Sequence, residues 1–437
     1  MKKKKNINIV FLIRRENKLG YKDIDHLLPF LYFLNENKDF EYTAKGFIFD
    51  TRSNYLKNND PRIKFLLNYK NVELVFLYKE NILEKVKKIF SPKSGSIVIN
   101  FLSRVIAKIS SHLFQSRKIN IDWSKQLGKE FLNSKIPLIF TLHKDHITLG
   151  IVSEIKKQNS RAKCIVLPHG TTICENRMVL ESDLEKDEII KNDELYNKVD
   201  FLLRTSQFDI ETAILNGLKK SKGFVIGSPR YYKEWINLKS DLKLDGKEVE
   251  IKNNSKIRIL FLVPKKQINV FSEELVRTID FLSSYPEFEI VLLNNNLYYP
   301  KIPKEILNRT NIKNYLISEK YSTSRLIDWS EIIFHAGTGV IFEAFIKNKI
   351  IVLPRYLTCN TLISDKYNAG FNLRNRDELR TFCNRAVTSL NNLKKTYSDE
   401  HEVGNKKFID DFIYGNSESV PQNIKKTMSS IIENFNN

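Results

Sequence analysis

Cysteine is scarce in this chain, and its spacing forms no known motif. The four thiols, Cys164, Cys174, Cys359 and Cys383, make no CxxC unit. Common zinc and dithiol redox motifs are thereby excluded. A chain this long needs no disulfide staples, so reduced thiols in a cytoplasm are expected. Long apolar runs are also missing, and nothing approaches the ~18 residues of a membrane span. The chain has no internal repeat, long low-complexity segment or heptad array, which excludes solenoids and coiled coils. It also lacks a recognition-helix pattern, zinc-ligand spacing and an RNA-binding aromatic signature, so nucleic acid is not an expected partner. The opening MKKKKNINIVFLIRRENK imitates a signal peptide. Its apolar part, Ile7 to Ile13, is short, is interrupted by Asn8 and runs into Arg14 and Arg15. It reads as a first strand behind a basic tail that is solvated or faces a membrane.

What is present is a long, basic, strand-and-helix chain. Its 437 residues are too many for one core and natural for two α/β domains. The hydrophobic content of 42% supports a packed protein, and the formal charge is +20. Such an excess suits an anionic membrane surface or phosphorylated substrates. Apolar runs at Ile7–Ile13, Gly46–Asp50, Val72–Tyr78, Pro137–Leu142, Cys164–Leu167, Phe201–Arg204 and Gly223–Ile226 alternate with helical patterns. Residues 79 to 135 read as mostly helical. Lys233 to Glu250 is charged and shows little periodicity, so the boundary is expected there. A second alternating series starts at Lys256 and ends in three helical segments near 377–393, 406–414 and 421–435. The expected division is 1–232, a linker at 233–255, a second domain at 256–405 and terminal helices at 406–437 that pack back on the first domain.

One stretch, EIIFHAGTGVIFEAFIKNKIIVLP from Glu331 to Pro354, organises the second half. It reads as strand, small-residue turn, helix and strand. Gly337, Thr338 and Gly339 would put free backbone N–H groups at a helix start, which suits a phosphate. The bland alternative is a tight turn. Glu343 lies one turn into the helix, where its carboxylate would reach two ribose hydroxyls.

In open parallel sheets, ligands lie beyond the carboxyl ends of the strands. In the first half those ends carry Asp25 and His26, then His143, Asp145 and His146, then His169, Thr171 and Thr172. In the second they carry Lys265 and Lys266, Ser322 to Ser324, His335 to Gly339 with Glu343, and Arg355 and Asn360. Three of the seven histidines closely follow predicted strands, with a fourth nearby. That placement points to a cleft whose basic, glycine-containing side meets a nucleotide diphosphate and whose histidine-rich side moves protons.

Together these residues resemble the GT-B superfamily of nucleotide-sugar-dependent glycosyltransferases. More narrowly, they resemble bacterial capsule glycosyltransferases and the CDP-glycerol glycerophosphotransferases. HAGTGVIFEAFIKNKIIVLP is similar to the superfamily's donor site, VLPHGTT to the HGT turn of the polyol-phosphate transferases and related capsule enzymes and GSPRYY to their interdomain crossing, while FIDDFIYGNSES looks like a C-terminal pattern of capsule enzymes. The resemblance implies two Rossmann-like parallel-sheet domains facing each other across a cleft. It also implies transfer of a sugar from a UDP- or CMP-linked donor to a growing surface glycan or lipid-linked acceptor in capsule or lipopolysaccharide synthesis. His169 would be the base, with His143, Asp145 and Asp25 as further candidates. Lys265, Lys266, Ser322, Thr323, His335, Gly337, Thr338, Gly339 and Glu343 would bind the donor, and His146, Thr171 and Arg177 the acceptor. No EX7E pair occurs, so a retaining mechanism of that subtype is not expected, and the resemblance implies no metal and no other cofactor, because a helix end and basic side chains hold the leaving phosphate. The expected location is cytoplasmic, at the inner face of a membrane. The alternatives are a CDP-polyol phosphotransferase, a nucleotide-sugar 2-epimerase and a non-catalytic scaffold of the same fold. For the epimerase, the several acidic and basic groups needed around the sugar are not evident in the sequence.

Overall fold

The structure, a computed structural model, describes residues 5–14, 22–36, 40–50, 61–69, 71–78, 136–170, 193–246, 248–250, 255–264, 270–294, 301–316, 321–417 and 419–433. Expectations for 79–135, and for Cys174, fall outside these residues.

Among the described residues, two wholly parallel sheets carry the chain. The first has seven strands: β1 Lys5–Arg14, β2 Phe40–Asp50, β3 Val72–Tyr78, β4 Pro137–Thr141, β5 Lys163–Val166, β6 Phe201–Arg204 and β7 Gly223–Val225. Their order is β3-β2-β1-β4-β5-β6-β7. The second has six: β8 Ile257–Leu262, β9 Phe288–Asn294, β10 Ile312–Leu316, β11 Ile332–His335, β12 Ile350–Pro354 and β13 Phe371–Leu373, in the order β10-β9-β8-β11-β12-β13. Each sheet therefore reverses its winding once, between β1 and β4 and between β8 and β11. A crevice opens at such a reversal because the helices leave the sheet on opposite faces.

Alternation explains the first sheet. Ile7, Ile9, Phe11 and Ile13 of β1 enter one core, and Val10 and Leu12 enter the core on the other face. This period of two matches a strand buried on both sides. Register with β4 sets Ile9 opposite Leu138 and Leu12 opposite Thr141. Phe140 then stacks on Phe11 at 5.8 Å and meets Phe30 edge-on at 5.3 Å. Phe30 belongs to α1, Lys22–Glu36. Aromatic pairs of this kind add roughly 0.5–1.5 kcal/mol each beyond area burial.

The remaining helices used below are α2 His146–Gln158, α3 Lys233–Asp241, α4 Thr323–Trp329, α5 Ile341–Ile346, α6 Arg376–Thr388, α7 Leu390–Ile409 and α8 Val420–Glu433. Two sequence expectations change here. The charged stretch after Lys233 is not featureless: α3 buries Trp235 and Ile236, and Trp235 joins the first core. Its polar residues conceal that short apolar face. The helix expected near 377–393 is two helices, divided at Ser389, whose hydroxyl caps α7 by accepting from Asn392 N–H.

The end of the chain returns to the first sheet. After α7 the backbone widens into a π-type turn at Asp410–Tyr414. Val420, Ile424, Met428, Ile431 and Ile432 of α8 then join the core that contains α1. The two passes meet at Gly227, where Ser228 N–H donates to Ile413 O at 2.7 Å. Gly227 has φ +76°, and an added Cβ would lie 2.6 Å from Ile413 O. Gly227→Ala should therefore destabilise the protein by more than the ~1–2 kcal/mol of a left-handed backbone alone, measured by denaturant unfolding. An unchanged midpoint would mean that the crossing tolerates a shift. Among the described residues, no helix is long and apolar enough to cross a membrane.

Candidate active site

The winding reversal of the first sheet gathers titratable side chains from three segments. Asp23 and His26 lie three residues apart on α1, hence on one face of it. His143 follows β4 and His169 follows β5. Asp23 is 1% exposed. Its two oxygens lie 3.0 and 3.1 Å from His143 Nε2, which donates to the carboxylate. His169 Nε2 is 3.8 Å from Asp23 Oδ1. The His169 ring stacks on His26 at 4.8 Å and lies 4.7 Å from His143. Arg230 Nη1 donates to His26 Nε2 at 2.8 Å. Burial, and after it the positive charge of Arg230, hold the His26 imidazole well below its usual pKa, so it stays neutral and accepts.

His143 and His169 are thus brought together against Asp23. Asp25, however, is ion-paired to Arg62 at 2.7 Å. Burial favours its neutral form, but Arg62, Arg230 and Lys239 outweigh that and depress its pKa. A carboxylate so stabilised is a weaker base than an imidazole. Asp145 stands at the start of α2. It caps that helix, its Oδ1 accepting from Thr148 N–H at 2.8 Å, and Asp23 lies against the His143 imidazole. His146 is exposed in the first turn of α2, outside the Asp23 group. Thr171 and Arg177 lie outside the described residues.

The second half contributes a buried charge network centred on Glu343, which is 4% exposed. Its Oε1 accepts from Ser324 Oγ–H, pairs with Lys347 at 2.9 Å and lies 3.7 Å from Lys239 of α3. Burial would raise the Glu343 pKa, but Lys239 and Lys347 hold it at about 2. Lys239 also pairs with Asp245 at 3.2 Å, and Lys347 with Asp328 at 2.7 Å. Burial opposes the charge on Arg230, yet Tyr231, Asp25, Glu343 and Asp245 raise its pKa. Arg230 therefore feels carboxylates of both halves. Sequence reading did not single out Asp23, Lys239 or Lys347. The run DIDH opening α1 at a switch point was a usable signal for Asp23; nothing local marked the lysines.

The phosphate turn is less open than expected. α5 has only six residues, so its dipole is small. His335 is 2% exposed, and burial drives its pKa to about 3. Its Nδ1 accepts from Gly337 N–H at 3.3 Å, which makes it a neutral residue shaping the turn rather than a charged donor. An added Cβ at Gly339 would meet nothing within 4 Å, so that end of the turn faces open space. Thr338 Oγ1 accepts a long 3.5 Å bond from Val340 N–H. Ser322 caps α4, accepting from Arg325 N–H, and Thr323 is the first residue of that helix. Ser324, not these two, reaches Glu343. Lys265 and Lys266 lie outside the described residues. A cavity of about 820 Å³ lies instead around Arg258, Glu331 and Lys349, at the amino ends of the second sheet. Bound ligands are not expected at those ends.

No protein-family model matches the chain, and no curated protein matches its sequence. Solved structures do match. UDP-GlcNAc 2-epimerase from Neisseria meningitidis, bound to UDP-GlcNAc, superposes with a TM-score of 0.56 at 12% identity, covering 98% of this chain and 100% of that one. A putative UDP-N-acetylglucosamine 2-epimerase from Listeria monocytogenes gives 0.54 at 11% identity, with 99% and 97% covered. Anabaena Alr3699/HepE in complex with UDP and glucose gives 0.52 at 13% identity, with 97% and 100% covered. At these identities the likeness is one of fold. The fold is of the GT-B type, with two Rossmann-like parallel-sheet halves, as the sequence led us to expect.

Proposed function

We propose that this protein is an enzyme acting on a UDP-linked sugar, and that 2-epimerisation of that sugar accounts for its site better than the glycosyl transfer expected from sequence. One observation carries this reading. Asp23, His26, His143 and His169 converge at the first sheet's switch point, and Arg230 links them to the field of Glu343. Inverting a carbon that bears hydrogen needs a base to take the proton and an acid to return it from the other face. The sequence showed no such surplus of acid and base groups; the fold assembles one. Two of the three similar structures above are named as UDP-GlcNAc 2-epimerases, one of them bound to UDP-GlcNAc, which supports UDP over CMP as the nucleotide. In this reading Thr338 and Gly339 face the diphosphate, Glu343 the ribose, and Arg230 and Lys239 offset the phosphate charge.

Glycosyl transfer remains the second reading. His169, with its side chain 44% exposed, is placed to meet an incoming hydroxyl, and one similar structure holds UDP and glucose. A surface-glycan or lipid-linked acceptor at an anionic membrane belongs to that reading and draws support from the +20 charge.

The test is proton NMR of UDP-GlcNAc with the protein in D2O. Epimerisation predicts loss of the C2 proton signal and growth of a second sugar nucleotide without any acceptor. Transfer predicts an intact C2 proton, with UDP released only when a glycan acceptor is added. If UDP binds and neither change occurs, both readings fall and the scaffold alternative takes their place.

A further inference from the structure

We propose that Asp23, His143 and His169 form a binding site for one divalent transition-metal ion of the zinc class, open toward the cleft. The three residues come from α1, the end of β4 and the loop after β5, so no sequence spacing announces them. One donor atom of each lies within 4.8 Å of the others. His143 Nε2 is 3.0 Å and His169 Nε2 is 3.8 Å from the same oxygen, Asp23 Oδ1. The longer distance exceeds hydrogen-bond reach. His169 and His143 thus converge on one oxygen, as donors do around a shared centre. Donors about 2.1 Å from a tetrahedral ion stand about 3.4 Å apart. The two separations to Asp23 straddle that value and the third is within 4.8 Å, so side-chain rotations that draw the imidazoles together would seat an ion.

The chemistry of the set fits as well. Two imidazole nitrogens and one carboxylate oxygen form a known three-ligand zinc arrangement, with the fourth position left to water or substrate. Asp23, almost fully buried, closes the inner side, while the half-exposed His169 lies at the mouth. Arg230 donates to His26, outside the donor triad. An ion here would polarise a sugar or phosphate oxygen, or lower the pKa of a bound water toward ~7. The inference goes beyond the epimerase reading and rests on cluster geometry alone.

The experiment uses the untagged full chain, dialysed against EDTA and titrated with Co2+. Binding is followed by visible absorption and calorimetry. One Co2+ per chain, displaced by Zn2+, is expected. Loss of even an outer-shell partner costs roughly 10–100-fold in affinity, so His169→Ala and His143→Ala should each weaken binding at least roughly tenfold. His169→Ala alters an exposed side chain and keeps the fold, which a melting curve verifies. No stoichiometric binding, or equal binding by wild type and both variants, overturns the proposal. The titration needs no sugar. C2 exchange without metal binding would remove the ion alone, and metal binding without exchange would remove 2-epimerisation alone.

Discussion

Glu343→Ala is expected to lower the stability of the protein by about 3 kcal/mol, the low end of the ~3–5 kcal/mol that breaking a buried ion pair costs. It is also expected to abolish the stabilisation given by UDP. The low end applies because Lys239 keeps Asp245 and Lys347 keeps Asp328. A second route gives the same size. The Glu343 pKa stands at about 2 in the folded protein against an ordinary 4.5, a depression corresponding to about 3 kcal/mol. Because the folded value is lowered, this contribution is complete above pH ~4.5 and is lost as pH falls through about 2. Glu343→Gln, which keeps the shape and drops the charge, should therefore flatten the loss of stability across that acid window. Urea unfolding at several pH values measures both effects. The ligand arm is separate. Wild type with UDP at about 100 times its dissociation constant gains ~2.7 kcal/mol. A variant that melts low yet shifts fully with UDP would remove the ribose role and leave Glu343 as a strut between α3 and α5.

Much of the scaffold was legible because strand alternation is a local signal. Ile7 to Ile13, Pro137 to Leu142 and Glu331 to Leu353 announce themselves residue by residue. The switch-point logic then placed His143 and His169 at strand ends before their distance was known. What stayed hidden is pairwise. Asp23 and His143 are 120 residues apart in the chain yet share a hydrogen bond, and no pattern in either segment implies it. Asp145, two residues from His143, is the nearest carboxylate in the sequence. The backbone takes its Oδ1, because a helix start has orphan N–H groups and α2 begins right there. Lys239 was hidden for a related reason: a charged stretch reads as solvated until the structure shows the carboxylate it faces. His335 shows the converse. A histidine in a glycine turn invites a ligand role, and nothing local showed that burial keeps it neutral with its Nδ1 committed to the turn.

Asp23→Asn should test the chemistry most severely, cutting turnover about 10²–10⁴-fold while leaving UDP affinity within about twofold. The substitution keeps the volume of a side chain that is 1% exposed, so the fold should persist, as near-ultraviolet circular dichroism would confirm. What it removes is the charge behind two imidazoles. A carboxylate accepts from His143 Nε2–H on both oxygens and stabilises the imidazolium that forms when a ring takes a proton. An amide offers one oxygen, turns an NH2 group toward the neighbouring ring, and can fix the wrong tautomer, a change known to be costly where an aspartate orients a catalytic histidine. The nucleotide is not expected to notice, because its proposed contacts lie at Thr338, Gly339 and Glu343. The loss should therefore fall on kcat, with KM for the UDP-sugar nearly unchanged. A turnover like that of wild type would take the Asp23 group out of the reaction whichever of the two chemistries is correct. A collapse of kcat and UDP affinity together would make Asp23 a positioning residue of the whole cleft. The Co2+ titration then separates the remaining ways in which one buried carboxylate matters, as the partner of an imidazole base or as the ligand of an ion.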